Sequence, residues 1–97
     1  MRSAGATVIL VDGALAAWIG RGERNLLTFL DSIPDRDPEE VAYELARVLA
    51  AGADSGSLRA GYIEEVDSEP VHDTRMAPAL AAAGYTRTSR GFIRRRV

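Results

Sequence analysis

Five arginines, Arg87, Arg90, Arg94, Arg95 and Arg96, crowd the end of this 97-residue chain, where no acid stands from residue 74 onward. A guanidinium is permanently charged and offers a planar fork of donors that matches phosphate geometry, so the cluster could hold a polyanion. The plainer alternative is a solvated basic end. Tyr85 and Phe92 lie among these arginines, but a core with few large side chains needs both rings. The chemistry expected is therefore phosphate contact, weak and indifferent to base sequence. Charge is unevenly spread along the chain: residues 1–27 sum to +1, residues 28–73 to −9 and residues 74–97 to +6, for a net charge of −2. Such a dipolar chain can turn a basic tail to nucleic acid while its acidic middle faces solvent or a neighbouring domain, or the two halves can neutralise each other within the fold.

Most other chemistry is excluded by inventory. The chain has no Cys, no Lys and one His. Disulfides, thiol nucleophiles, the usual zinc sites and a P-loop lysine all fall away together. The absence of Cys also fits a reducing compartment, and a cytoplasmic location is expected. Glu64, Glu65, Asp67, Glu69 and Asp73 could hold Mg²⁺, but a solvated strand and turn is the expected reading. Residues 20–25 (GRGERN) begin like a dinucleotide fingerprint, yet Asn25 stands where the last Gly belongs and no helix pattern follows, so they read as a hairpin turn. His72 beside Asp73 invites a catalytic triad, but nothing fixes a nucleophile near them, and a capping or surface role is expected. Trp18 could stack on a base, although packing is the safer reading for a ring among Ala16, Ala17 and Ile19. No catalytic residue, cofactor or metal is expected.

These residues must be positioned by one small domain. Of the 46% of residues that are hydrophobic, 16 are Ala, which leaves material for a shallow core only. No apolar run approaches the ~20 residues of a membrane span, and residues 6–11 are too short for a signal-peptide core. The mostly β-branched residues 7–11, the Asp12-Gly13 turn, residues 15–19, a turn at 20–24 and residues 26–29 predict three short antiparallel strands. A loop at 31–36 leads to a helix capped by Asp37, with Pro38 at its first position and Glu40 completing a capping box. Val41, Leu45, Val48 and Leu49 form its apolar stripe, and Gly52 is its expected stop. A flexible link at 53–57 precedes a fourth strand over 58–66, with Tyr62, Glu64 and Val66 on one face and Ile63 and Glu65 on the other. After a turn at 67–70, a second helix starts near Asp73 or Thr74, turns Met76 and Leu80 inward and stops at Gly84. Residues 85–97 are strand, turned around 89–91 and anchored by Phe92. The order β-β-β-α-β-α-β predicts an α+β domain with a mainly antiparallel sheet and two helices.

Three stretches together carry a family resemblance. Gly5-Ala6-Thr7-Val8-Ile9-Leu10-Val11-Asp12-Gly13, followed by Leu15-Ala16-Ala17-Trp18, Arg21-Gly22 and Leu26-Leu27-Thr28, resembles the opening of the last module of the Lhr (large helicase-related) proteins. These are bacterial superfamily 2 DEAD/DEAH-box helicases. Pro70-Val71 through Met76-Ala77-Pro78-Ala79-Leu80 is similar to the family's E-P-V and L-A-P-A-L stretches. Ala82-Ala83-Gly84-Tyr85 with Thr88-Ser89-Arg90-Gly91-Phe92 is similar to its A-A-G-F and T-P-R-G-L, with Ser89 in place of Pro. In order and spacing the matches span nearly the whole chain. The resemblance implies a C-terminal, barrel-like module, or partly open barrel, of a longer DNA-repair helicase. ATP-site and winged-helix domains would lie upstream as its partners, and its part would be accessory DNA binding or domain assembly. No family catalytic residue falls on a matched position. The alternative is a protein-interaction or homo-oligomerisation module without DNA contact, signalled by an apolar patch over residues 26–29 or on the second helix.

Overall fold

The β-branched opening runs extended, as its composition requires. Strand β1 (Thr7–Val11) pairs antiparallel with β2 (Ala14–Ile19), and β2 pairs antiparallel with β3 (Asn25–Thr28). The structure is a computed structural model in which residues 7–11, 13–19, 25–56 and 61–94 are described. The β1–β2 register shifts between Ile9 and Leu10, so that Ala16 is an extra residue in β2. This bulge buries Ala16 and Ala17 in succession, where strict alternation would turn one of them outward. Phe29 leaves the sheet, and the predicted loop begins with a 3₁₀ turn over Leu30–Ser32.

Helix α1 (Pro38–Ser55) starts as expected with Asp37 as N-cap and Pro38 at its first position. The Asp37 carboxylate accepts from the Glu39 backbone N–H at 3.0 Å, one residue earlier than a capping box with Glu40 would need. Replacing Asp37 by Ala is expected to lower stability by about 1 kcal/mol, read as a shift in the denaturation midpoint. Two expectations about α1 are corrected. The helix runs past Gly52, which is buried on its inner side, and ends at Gly56 with φ 80°. That left-handed residue is the one that turns the chain out of the helix. The buried stripe is also rotated: Ala42, Ala46 and Ala50 accompany Val41, Leu45 and Leu49, whereas Val48 is exposed. The small alanine row allows close packing against the second helix, which pushes Val48 to the rim. Residues 53–55, expected in a flexible link, are helical.

The fourth strand divides at Glu64. Strand β4 (Tyr62–Ile63) and β5 (Glu65–Val66) belong to different sheets, and both Ile63 and Val66 are buried. The predicted alternation fails here because a single strand cannot bury residues three apart on one face. Residues 58–60 of that predicted strand lie outside the described residues. Strand β5 turns through Asp67 (φ 53°) and Ser68 (φ 69°) into β6 (Glu69–Pro70), so the predicted turn is shorter than four residues. Two left-handed residues make a hairpin turn of the primed kind. Asp67 is held there by accepting from the Thr28 N–H at 2.7 Å and the Thr28 hydroxyl at 2.5 Å.

A 3₁₀ turn over Val71–Asp73 precedes helix α2 (Met76–Ala82), which buries Met76 and Leu80 and gives way at Ala83-Gly84. Strands β7 (Thr86–Arg87) and β8 (Phe92–Ile93) form the last hairpin. One sheet has the order β1-β2-β3-β5-β6 and the other β4-β8-β7. The β3–β5 pair is parallel and the remaining pairs are antiparallel. The fold is thus α+β with two helices and open sheets rather than a closed barrel. A single core joins both sheets to α1 and α2 through Ile9, Leu26, Leu45, Ile63, Leu80 and Phe92.

Candidate nucleic-acid interface

The β7–β8 hairpin carries Arg87 and Arg90, and its turn is fixed by short polar bonds. Thr88 N–H donates to the Gly91 carbonyl at 2.8 Å. The Thr88 hydroxyl accepts from the Gly91 N–H and donates to the Gly91 carbonyl, both at 3.0 Å. His72 Nε2 lies 2.8 Å from the Thr88 carbonyl, which can only accept, so Nε2 carries the proton and donates. The imidazole also tilts against the Phe92 ring at a centroid distance of 5.2 Å. His72 is therefore not a helix cap: partly exposed at the entry to the second helix, it ties the 3₁₀ turn to the base of the hairpin. Phe92 is the buried anchor expected of it, and Tyr85 is buried too.

The five sequence-predicted arginines separate. Arg87 and Arg90 are exposed and make no ion pair or hydrogen bond among the described residues. Arg95 and Arg96 lie outside the described residues. Arg94 is engaged within the fold: Nε and Nη2 donate to the two carboxylate oxygens of Asp54 at 3.0 and 2.8 Å, and Nη1 donates to the Ala83 carbonyl at 2.8 Å. The fork thus joins the end of α1 to the end of α2, using the bidentate geometry that would otherwise serve a phosphate. The hydrogen bond with Asp54 is the main cause that raises the Arg94 pKa, against the cost of desolvation. One sequence signal could have found this. Arg94 shares strand parity with Phe92, so it turns toward the same side of β8 as the buried ring.

Burial pushes the Tyr85 phenol above its ordinary value of 10.0; Arg94 opposes the rise and Asp54 adds to it. The unfolded chain therefore ionises Tyr85 at a lower pH than the folded one. Stability is complete below about pH 10 and is lost as pH rises beyond it. Alkaline melting curves are expected to show this loss, and Tyr85→Phe should flatten it.

A polar cleft of about 330 Å³ opens on the other strands, lined by Thr28 to Ser32, Val66, Asp67, Glu69 and Asp73 to Met76. Its acids outnumber its one arginine, and Arg75 pairs with Asp31 at 3.3 Å, so the cleft disfavours a phosphate ligand. Among the described residues, no three acid or imidazole side chains converge as cation ligands, and no polar or charged residue is fully buried. Likewise among the described residues, no helix is long and apolar enough to cross a membrane.

Sequence reasoning did not single out the outer face of β1–β3. Val8, Leu10, Leu15 and Leu27 are exposed there, beside a half-buried Trp18. The signal was the unbroken apolar run of β1, which implies a strand covered on both faces. Leu27 belongs to the stretch where an apolar patch was anticipated, but the patch centres on β1 and β2. Comparison with known protein families, with curated proteins and with solved structures finds no match to this chain.

Proposed function

We propose that this chain is a non-catalytic accessory module that contacts nucleic-acid phosphates through the β7–β8 hairpin. The observation that carries this reading is the pair Arg87 and Arg90, both exposed, without an acid partner among the described residues, and set on a turn braced by Thr88, Gly91 and His72. Unpaired guanidinium groups carried on a braced turn suit phosphate contact, and the ring in register with Arg87, Phe92, is buried in the core, which favours backbone over base recognition. In the setting implied by the Lhr resemblance, the module serves the C-terminal end of a cytoplasmic, ATP-dependent DNA-repair helicase. ATP hydrolysis and strand separation then belong to the upstream domains.

The test is a salt titration on duplex DNA. With Arg94 held by Asp54, at most four of the five arginines remain for phosphate, so log K is expected to fall with log salt at a slope of about −3 to −4. Arg87→Ala and Arg90→Ala should each reduce that slope by roughly one. Arg94→Ala should leave the slope unchanged and lower the denaturation midpoint instead. Truncation before Arg94 would confuse the two effects, so Arg95 and Arg96 are better replaced singly. An affinity and slope unchanged in the Arg87→Ala/Arg90→Ala double variant would overturn the reading. The interaction-module alternative is favoured by one observation, the exposed apolar face of β1–β3.

A further inference from the structure

The five-stranded sheet has two edges, and the chain treats them differently. At one edge stands β6, only two residues long, one of them Glu69 and the other Pro70. Shortness, charge and proline are the devices that keep an edge from pairing with another strand. At the other edge stands β1, five residues long and free of charge and proline. The bulge in the β1–β2 pair does not interrupt it, because the extra residue, Ala16, lies in β2. Among the described residues, β1 bonds to β2 alone. Every second residue of β1 therefore turns its N–H and C=O outward with no backbone to meet.

An apolar groove of about 570 Å³ runs beside that edge. Val8 and Leu10 lie on one wall, and Val48, Ala51, Gly52 and Ser55 of α1 form the other. The helical four recur at the three-and-four spacing of one helix face, so the wall follows the helix instead of crossing it. From residue 48 to residue 55 it is about 10 Å long, the reach of about three residues of extended chain. Val8 and Leu10 are 42% and 55% exposed, and no lining residue carries a charge.

We propose that this groove binds an extended, uncharged peptide segment of a partner protein, which joins the sheet as a strand beside β1. This goes beyond the nucleic-acid reading and does not rest on it. The open backbone edge selects the occupant. A strand laid along β1 meets the outward N–H and C=O groups with its own, and sends alternate side chains onto Val8 and Leu10 on one face and toward α1 on the other. A helix could fill the groove, but its backbone groups bond internally and would leave the edge unpaired. A second copy of this chain has an equal edge, yet its β1 would arrive with its own α1, in the space where this α1 already forms the wall. A single segment brings no helix. Ala51, Gly52 and Ser55 are small and leave room for a branched apolar side chain facing α1. A charge there would lose water with no opposite charge among the lining residues. The paired length is short, so the dissociation constant is expected on the order of micromolar or above.

The probe is a phage-displayed library of random peptides, selected on the immobilised chain. Enriched sequences are expected to be uncharged, with valine, isoleucine or threonine at alternate positions. The best of them, resynthesised, should shift the amide resonances of residues 8–11 and 48–55 and slow exchange of the outward β1 amides by at least about tenfold. Only one edge of the peptide faces β1. Methylating the backbone nitrogens of one alternate set of its residues should therefore weaken binding by at least about tenfold, while methylating the other set should not. Ala51→Glu and Val48→Glu replace exposed residues of the groove, and each should weaken binding by at least about tenfold with the far-ultraviolet spectrum unchanged. Leu27→Ser, two strands away on β3, should leave it intact. A selection that enriches no peptide would overturn the proposal, as would resonance shifts confined to other residues. So would equal effects of methylating the two sets, or binding that survives both Ala51→Glu and Val48→Glu.

Discussion

Leu45→Ala is expected to lower the stability of this domain by about 2–5 kcal/mol, the range for truncating a fully buried leucine. Leu45 lies midway along α1, between Val41 and Leu49, and none of the three is exposed to solvent. Removing its side chain leaves a void bordered by helix and sheet at once, and the surrounding elements can close it only partly. Val48→Ala, one turn away on the exposed rim, is the matched control and should change stability by less than about 0.5 kcal/mol. Urea denaturation of the two variants separates these cases. Equal midpoints for wild type and Leu45→Ala would show that α1 does not pack on the core as described.

Gly91→Ala should rank next, through collision rather than loss of contact. A Cβ at residue 91 would overlap the Ile63 carbonyl oxygen and lie 3.1 Å from the Glu64 Cα, so backbone would press on backbone. Neither atom can swing aside as a side chain can. Either the last hairpin withdraws from β4 or the chain shifts at its crossing between the two sheets. The expected cost is about 1–3 kcal/mol or more, with faster amide exchange at Ile63 and Phe92. Ser89→Ala, in the exposed part of the same turn, should be close to neutral. Exchange at Phe92 as slow as in wild type would show that the approach of Gly91 to Ile63 is not tight.

What could be read from the sequence was local. Asp37-Pro38 marked the start of α1 because capping chemistry acts within one turn, and Phe92, Met76 and Leu80 were recognisable as core from type and spacing. The features that escaped depend on residues far away in the chain. Gly52 looked like a helix stop because nothing nearby says that it is buried against other elements. The division at Glu64 exists because β4 and β5 answer to partners on two different sheets, β8 and β3, a demand that no window around residue 64 contains. The same reason divides the arginines. Arg87, Arg90 and Arg94 are chemically alike in the sequence, and only the tertiary fold brings Asp54 and the Ala83 carbonyl to Arg94 while leaving the other two open. The outer face of β1–β3 was legible in composition, since five consecutive apolar or β-branched residues exceed what one buried face requires.

The second sheet also has a consequence for the timing of folding. Strands β1, β2 and β3 are neighbours along the chain and pair by short closures, whereas β4 waits for β8, about thirty residues later. During synthesis the first three strands and α1 can assemble while Ile63, His72 and Tyr85 still lack the hairpin that covers them. The stretch after Tyr85 supplies Phe92 for the core and Arg94 for the join between the helices. A nascent chain stopped short of Phe92 would therefore be a ready substrate for proteases, and resistance to them should arrive in one step when the hairpin docks rather than grow with chain length.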